Sequence, residues 1–290
     1  MNRKTSITDM HVHPAFYEPA CRSREQEAFV QNQFGLYKES VYSLDSQLTL
    51  MDAAGVDLAV LLPLDLTTGA SGSLATNADV AEIVKAYPER FIGFASVDPH
   101  DPKAAEKLEK AFDSYGLSGL KLHPSKQRFY PTDPCMDDLY YLCETYRKPI
   151  VFHAGMSLEP GTLSRYARPL EFEEVALNHP DLKFCLAHFG WPWVQETCML
   201  LLKYPNVYAD TALLYFDSAD EFYEQTFGVD MGRNWIDRSL RHQIMFGSDD
   251  PRLEMCRMKK AIEGMDMRQS TIDLILGGNA RVFLDLEESS

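Results

Sequence analysis

Short apolar runs rich in β-branched residues recur along the chain, and each ends in polar, glycine or proline residues. This pattern is typical of buried parallel strands. We predict eight strands, at residues 6–11, 58–62, 92–97, 119–122, 150–152, 183–187, 207–210 and 243–246. Amphipathic stretches separate most of them, at residues 46–54, 77–87, 103–115, 137–146, 170–178, 193–202 and 219–240. Alternating strands and helices predict an α/β fold, and eight units predict a single (β/α)8 TIM barrel, regular or distorted.

One segment inserted after the first strand does not fit this alternation. Residues 14–45 are rich in Tyr, Phe, Glu and Gln and lack strand character. Because long loops in compact domains are commonly functional, we interpret the segment as a loop or helical lid over the barrel mouth. Its aromatic side chains are expected to pack it against the barrel rather than to stack on a substrate. The absence of repeats, low-complexity tracts and linker composition favours a single domain over residues 1–290.

Charge and hydropathy restrict the partners and the compartment. Lys and Arg number 28 against 43 Asp and Glu, and the formal net charge of −15 repels nucleic-acid phosphates and anionic lipid headgroups. No apolar run is long enough for a membrane span, and residues 1–9 lack the apolar region of a secretory signal. The cysteines lie scattered without a C-x-x-C pair. We therefore expect a cytoplasmic protein with a small-molecule substrate, no nucleic-acid or membrane partner, and homodimerisation left open.

Two histidines at the end of the first predicted strand carry the strongest local signal. Residues 9–13 read DMHVH, so His11 and His13 occupy positions i and i+2, which face the same side of a strand. Imidazole nitrogens are ligands for zinc and other borderline divalent ions. An isolated pair of this kind is equally consistent with a polar strand end. Its interpretation therefore depends on where the other histidines fall.

Three further polar residues follow predicted strands at their carboxyl ends. His153 follows the fifth strand, His188 the sixth and Asp249 the eighth. Functional groups of parallel barrels gather at this end. Each residue alone could be structural, the histidines as buried core groups and Asp249 as a helix cap. Their joint placement favours an open metal site whose ligands are His11, His13, His153 and Asp249, with His188 beside it.

Cationic and imidazole groups near the same rim are candidates for substrate binding. Lys121 and His123 share strand parity at the end of the fourth strand, so both could face the barrel interior. Lys121 could bind substrate charge, be carboxylated to bridge a second metal, or form an ion pair, and these alternatives stay open. Arg252, just beyond the eighth strand, is the best-placed cation for an acidic substrate, although a surface ion pair is the competing interpretation. Three further cations lie behind it: Lys126, Arg128 and Arg165.

An ordered series of motifs runs nearly end to end through the chain. They are DMHVH at residues 9–13, GLKLHP at 119–124, PIVFHAG at 149–155, LAHFG at 186–190, MFGSD at 245–249 and GNARVF at 278–283. On these motifs the chain resembles the amidohydrolase superfamily, in the amidohydrolase-related (amidohydrolase 2) branch that includes aminocarboxymuconate-semialdehyde decarboxylase.

The resemblance implies roles for individual residues. It implies metal ligation by the set His11, His13, His153 and Asp249, and a catalytic role for His188. Decarboxylases of this branch often have glutamate where this chain has His11, which counts against a hydroxybenzoate-type decarboxylase. We interpret residues 279–280 as structural, holding the final helix across the barrel's end.

The predicted site favours a hydrolase. A site of three histidines and one carboxylate with an open position lowers the pKa of a bound water to about 7. A metal-bound hydroxide would then attack a lactone, ester or amide carbonyl of a small carboxylate-bearing substrate. Asp249 would take the proton of the water, and His188 would hydrogen-bond to the developing oxyanion. Zinc is the expected ion, with manganese as an alternative and a second ion left open.

Two other functions use the same barrel. In the first, the metal holds a substrate carboxylate, His188 or Asp249 protonates the carbon, and carbon dioxide leaves without redox change. The sequence does not separate this non-oxidative decarboxylase from the hydrolase. In the second, the barrel is a metal-binding or ligand-binding protein without catalysis, against which the intact ligand set argues.

Overall fold

The computed structural model describes residues 6–159, 161–216 and 218–286. All eight predicted strands are present there. They are β1 (Thr8–Val12), β2 (Leu58–Leu61), β3 (Phe91–Gly93), β4 (Leu120–Leu122), β5 (Ile150–Phe152), β6 (Phe184–Leu186), β7 (Val207–Asp210) and β8 (Ile244–Met245). Residues 1–5 and 287–290 lie outside the described residues. Both ranges belong to the predicted domain 1–290, and residues 1–5 also belong to the stretch 1–9 that was predicted to lack the apolar region of a secretory signal.

Backbone hydrogen bonds join the strands into a closed ring. β1, β2 and β3 are neighbours in that order, and β4 to β8 form a second run of neighbours. Between β3 and β4 an isolated bridge pairs Ala95 with Leu120, so the predicted strand 92–97 is a paired strand only as far as Gly93. β8 returns to β1 where the Met10 N–H donates to the Phe246 carbonyl at 2.9 Å. The prediction of a TIM barrel is confirmed.

Helices lie between the strands and after the last one. The longer ones span Arg24–Phe34, Leu44–Ala54, Asn77–Ala86, Ala104–Asp113, Asp137–Thr145, Glu173–Asn178, Val194–Lys203, Ala219–Tyr223, Met255–Glu263, Gln269–Asp273 and Asn279–Phe283. Single turns of helix lie at Thr67–Ala70 and Pro124–Gln127, and Asp65–Leu66 pairs with Gly72–Ser73 in a small hairpin. No helix in the described part of the chain is long and apolar enough to cross a membrane.

The prediction of one continuous helix over residues 219–240 is wrong. After Ala219–Tyr223 the backbone widens into π-helical segments, Glu224–Asp230 and Trp235–Ser239. Gly232 lies between these segments with a φ of 96°, a conformation outside any right-handed helix. Apolar residues keep a helical spacing across this glycine, which is why the pattern alone predicted no break.

The insertion after β1 is built around the helix Arg24–Phe34. Ser23 caps this helix by accepting a hydrogen bond from the Gln26 N–H at 3.1 Å, and Gly35 ends it in the left-handed conformation. Phe34, the last helical residue, is buried and reaches the barrel mouth, where its ring centroid lies 5.0 Å from that of His13. The segment is therefore partly helical, and the carboxyl-terminal end of its helix Arg24–Phe34 forms part of the mouth.

Hydrophobic side chains fill the barrel interior at the end opposite this mouth. The cluster comprises Met10, Val60, Leu62, Phe94, Val151, Cys185, Ala187, Tyr208 and Met245, with Ala280 and Phe283 from the last helix. The Asn279 side-chain amide donates to the Arg241 carbonyl at 2.7 Å and to the Ile244 carbonyl at 2.6 Å. These two bonds hold the last helix across the amino-terminal end of the barrel, as predicted.

Replacing Asn279 by Ala should lower the free energy of unfolding by about 1–3 kcal/mol, because two backbone carbonyl groups lose their hydrogen-bond donor. Urea denaturation followed by circular dichroism measures the change. Asn178→Ala, at an exposed position, is the matched control and should stay within about 0.5 kcal/mol of the wild type. Equal stability of the Asn279 variant and the control would contradict the anchoring role.

Candidate metal centre

One cleft at the carboxyl ends of the strands collects the predicted metal ligands, the predicted catalytic histidine and the three main candidates for substrate binding. Its empty space is about 640 Å³, including the opening to solvent. The predicted residues that line it are His11, His13, Lys121, His123, His153, His188, Asp249 and Arg252. Lys126 also lines the cleft, whereas Arg128 and Arg165 are exposed and lie outside its lining.

A bulge in β1 aims the two strand histidines at this cleft. In the pairing of β1 with β2, Asp9 faces Ala59 and Val12 faces Leu61, so β1 carries one extra residue between the two pairs. The Asp9 carboxylate stabilises the bulge because its Oδ1 atom accepts the His11 N–H at 3.0 Å and the Ser248 N–H at 2.9 Å. This role of Asp9 was not predicted from the sequence.

His11, His13 and Asp249 form a compact donor group. The Asp249 Oδ1 atom lies 3.2 Å from His13 Nε2 and 3.7 Å from His11 Nε2. All three residues are buried, and their ligand atoms lie within 4.8 Å of one another, which is a spacing that one metal ion can bridge. A second group with the same spacing, His11, His188 and Asp210, contains a direct hydrogen bond between two of its members and is therefore less open to an ion.

The other ring nitrogens of these histidines are held by acceptors. His11 Nδ1 donates to Asp210 Oδ2 at 2.8 Å, and His13 Nδ1 donates to the Leu62 carbonyl at 2.9 Å. In the neutral ring this leaves each Nε2 atom with a lone pair directed at the site. Asp210, at the end of β7, was missed by the sequence analysis. Its place at the end of a predicted strand was the same signal that identified Asp249.

Two acceptors therefore face each other between His13 and Asp249. The Nε2 lone pair of His13 and the carboxylate oxygen of Asp249 lie 3.2 Å apart, and neither carries a hydrogen while the ring is neutral. Such a contact is unfavourable unless a cation lies between the two atoms. The buried Nε2 atoms of His11 and His153 also lack a hydrogen-bond partner. These atoms fit the nitrogen and oxygen donor set of a divalent metal ion.

His153 lies beside this group rather than inside it. Its ring stacks on His123 with centroids 3.7 Å apart and an interplanar angle of 8°, and its centroid lies 4.8 Å from that of His188. His153 belongs to neither compact donor group found in the described residues. Its unpartnered nitrogen is the observation that keeps it as a candidate ligand.

Burial sets the protonation of these groups. Desolvation lowers the pKa of His11, His13 and His153, so the rings are neutral, which is the form that binds metals. Burial alone would raise the pKa of Asp249, but neighbouring groups that include the Arg252 guanidinium outweigh it and lower that pKa. Asp249 is therefore ionised at neutral pH.

Lys121 is also buried beneath the cleft. Burial lowers its pKa to about 8, against the opposing effect of Asp210 and Asp249. The side chain therefore gives up its proton more easily than an ordinary lysine. This is compatible with each role left open for it by the sequence.

Two residues of the site have backbone conformations that are rare for residues other than glycine. His188 has φ 59° and ψ 24°, and Asp249 has φ 69°. Such left-handed conformations are costly and cluster at functional sites. Here the backbone is held by hydrogen bonds, because the His188 N–H donates to Asp210 Oδ1 at 2.7 Å and the Asp249 N–H donates to the His11 carbonyl at 2.9 Å.

Known proteins match nearly the whole of this chain. A family model described as amidohydrolase matches residues 8–286. The fold is similar to an uncharacterised TIM-barrel protein from Bordetella bronchiseptica, with TM-score 0.76, 22% identity, and 96% of this chain and 98% of that chain covered.

Two further structures have stated activities. One is 5-carboxyvanillate decarboxylase from Novosphingobium aromaticivorans, in complex with manganese and 4-hydroxy-3-methoxy-5-nitrobenzoic acid, with TM-score 0.69, 18% identity and coverage of 97% and 96%. The other is 4-oxalomesaconate hydratase from Rhodopseudomonas palustris, with TM-score 0.66, 20% identity and coverage of 96% and 95%. At these identities the likeness shows the fold. Because the family model spans nearly the whole chain, the chain belongs to the amidohydrolase family.

Proposed function

We propose that the protein is a metal-dependent hydrolase that cleaves a lactone, ester or amide bond of a small carboxylate-bearing substrate. The observation that carries the proposal is the pair of facing acceptors, His13 Nε2 and Asp249 Oδ1, 3.2 Å apart in a buried cleft. His11 and His153 add unpartnered Nε2 atoms to the same cleft. An enzyme centre with these donors and an open side fits metal-assisted attack on a carbonyl group.

Four residues would hold the ion: His11, His13, His153 and Asp249. When bound, the ion supplies a water of lowered pKa and a Lewis acid for the carbonyl oxygen. Nitrogen-rich donors favour zinc. Manganese is the alternative, and it is the ion found with the related 5-carboxyvanillate decarboxylase.

Asp249 would act as the general base. Its ionised carboxylate can accept a proton from the attacking water and return that proton to the leaving group. The Oδ2 atom lies 3.4 Å from Arg252 Nε, so one oxygen stays paired while the other faces the histidines. This division lets one carboxylate both contribute to the metal centre and move a proton.

His188 would stabilise the developing oxyanion. Its Nδ1 atom hydrogen-bonds to the Ala212 carbonyl, and the ring lines the cleft with a centroid 4.8 Å from that of His11. Because the Ala212 carbonyl fixes the tautomer, donation from Nε2 to a substrate oxygen needs a protonated ring. Asp210, whose Oδ1 accepts the His188 N–H, can support that charge, since ligand atoms of the two residues lie within 4.8 Å of each other.

Replacing His13 by Ala should weaken zinc binding at least about 100-fold, because the ligand itself is lost. Asp210→Asn should weaken it about 10–100-fold, because His11 loses the acceptor that orients its ring. Calorimetric titration of the metal-free protein with zinc measures both. His242→Ala, at an exposed position, serves as the control and should bind zinc as the wild type does. Unchanged affinity in the His13 variant would exclude this metal site.

Replacing Asp249 by Asn should reduce hydrolysis of a lactone panel by at least about 100-fold, since the proton acceptor is removed. His188→Asn should reduce kcat by about 10²–10³-fold. Initial rates are measured at saturating zinc, with bound metal quantified in each variant. Asp138→Asn on an outer helix controls for the loss of one negative charge. Wild-type turnover in the Asp249 variant with metal bound would disprove its role as the base.

Non-oxidative decarboxylation is the second candidate. It is favoured by the cations of the cleft, which suit an acidic substrate, and by the similar fold of a decarboxylase that was solved in complex with manganese and an aromatic acid. In this reaction Asp249 or His188 would donate a proton to the carbon that loses carbon dioxide. An ionised Asp249 can accept a proton directly in hydrolysis but would have to gain one before it could act as the donor here. With Asp249 as the acting group, hydrolysis is therefore the first candidate.

One assay separates the two reactions. The zinc- and manganese-loaded protein is incubated with a panel of lactones and with a panel of small aromatic and aliphatic acids. We expect acid release from at least one lactone and no carbon dioxide from the acids. Carbon dioxide release without lactone opening would replace the hydrolase with the decarboxylase.

A further inference from the structure

A carboxylate of the protein already occupies a position between two cations of the cleft. Glu159 Oε1 lies 3.2 Å from Lys126 Nζ and 3.4 Å from Arg252 Nη2. The Lys126 side chain is only 6% exposed, so this cation is largely removed from water. Two cations therefore share one carboxylate, and together these three groups form the acid subsite of the cleft.

The insertion holds these cations independently of Glu159. Lys126 Nζ donates to the Gln33 carbonyl at 2.5 Å, and Arg252 Nη2 donates to the Phe34 carbonyl at 3.0 Å. Both carbonyls belong to the end of the helix Arg24–Phe34, where the helix dipole favours cations. Removing Glu159 from the acid subsite would leave both cations in place.

Glu159 itself lies on a segment without regular secondary structure. Besides the two cations, its carboxylate accepts a hydrogen bond from the Ser157 hydroxyl at 2.7 Å. Its side chain is 19% exposed, and a change of side-chain rotamer would move the carboxylate away from the cations. The acid subsite thus has the geometry to accept a carboxylate, and the present one can be exchanged.

The Arg252 guanidinium group lies between the acid subsite and the metal centre. Arg252 contacts Glu159 through Nη2 and approaches Asp249 Oδ2 to 3.4 Å through Nε. A substrate whose reacting group lies at the metal centre would therefore reach the acid subsite with a second group a few bonds away. The formal net charge of −15 repels anions from the protein as a whole, so local cations are needed to bind such a molecule.

We propose that a carboxylate of the substrate replaces Glu159 between Lys126 and Arg252 while the scissile carbonyl group lies at the metal centre, so that hydrolysis leaves a short dicarboxylate in the cleft. This inference rests on the proposed function for the position of the reacting group. Glu159 acts as an internal competitor that keeps the two cations paired while the cleft is empty. Ligands with only one carboxylate, bound at the metal, do not displace it.

Calorimetric binding of malonate, succinate and glutarate tests the exchange, with butyrate as the one-carboxylate match for succinate. Titrations use zinc-loaded and metal-free protein and need no turnover. The dicarboxylate with the highest affinity for the wild type should bind about tenfold more strongly to Glu159→Gln, because no competing carboxylate remains. Butyrate should change by less than about twofold. Glu174→Gln, an exposed position with the same charge change, should bind all four acids as the wild type does.

Two further variants keep the test decisive. Glu159→Asp preserves the charge but shortens the side chain, so it should also tighten dicarboxylate binding, which a long-range charge effect would not do. Lys126→Gln should weaken dicarboxylate binding about tenfold while leaving butyrate unchanged. Three results would overturn the proposal. The wild type and both Glu159 variants could bind dicarboxylates with equal affinity, none of these proteins could bind a dicarboxylate, or butyrate binding could tighten as much as dicarboxylate binding.

The binding experiment and the turnover experiment test the two proposals independently. Tighter dicarboxylate binding in Glu159→Gln without hydrolysis of any lactone keeps the acid subsite and rejects the hydrolase. Hydrolysis by a wild type whose dicarboxylate affinity does not depend on Glu159 keeps the hydrolase and rejects the exchange.

Discussion

The rest of the site depends on the directions of lone pairs around Asp249. Asp210 and the Leu62 carbonyl accept hydrogen bonds from the Nδ1 atoms of His11 and His13, respectively. The Nε2 atoms of the two histidines therefore face the Asp249 carboxylate, which has no hydrogen to donate. Buried acceptors that face one another cost free energy, and a cation between them removes that cost. Metal binding should therefore also stabilise the folded protein, because the unfolded chain has no such arrangement.

Closure of the barrel is what creates this arrangement. The Asp249 N–H donates to the His11 carbonyl at 2.9 Å, and the His13 N–H donates to the Asp250 carbonyl at 2.8 Å. These bonds join the segment after β8 to β1, and they also fix the distance between the carboxylate and the two imidazoles. The left-handed backbone at Asp249 is tolerated because the closed barrel and its hydrophobic core supply far more stability than this conformation costs.

The strands and the rim residues could be predicted because both follow from local rules. Buried runs identify parallel strands, and His153, His188 and Asp249 each follow such a run. Asp210 obeys the same rule, but no pattern distinguishes a carboxylate that binds an ion from one that orients a ligand. Glu159 could not be predicted, since its contact with Lys126 depends on the path of a segment without periodicity.

The two halves of the cleft therefore have different physical origins. Strand ends place the metal-binding groups rigidly, whereas the acid subsite is assembled from the insertion and from segments after β4, β5 and β8. Arg252 connects the halves because it contacts both Glu159 and Asp249. An entering carboxylate that takes the place of Glu159 leaves Arg252 with an anionic partner, so its ion pair with Asp249 can persist when the substrate binds. The exchange therefore lets one half of the cleft select the substrate while the charge beside the carboxylate in the other half stays the same.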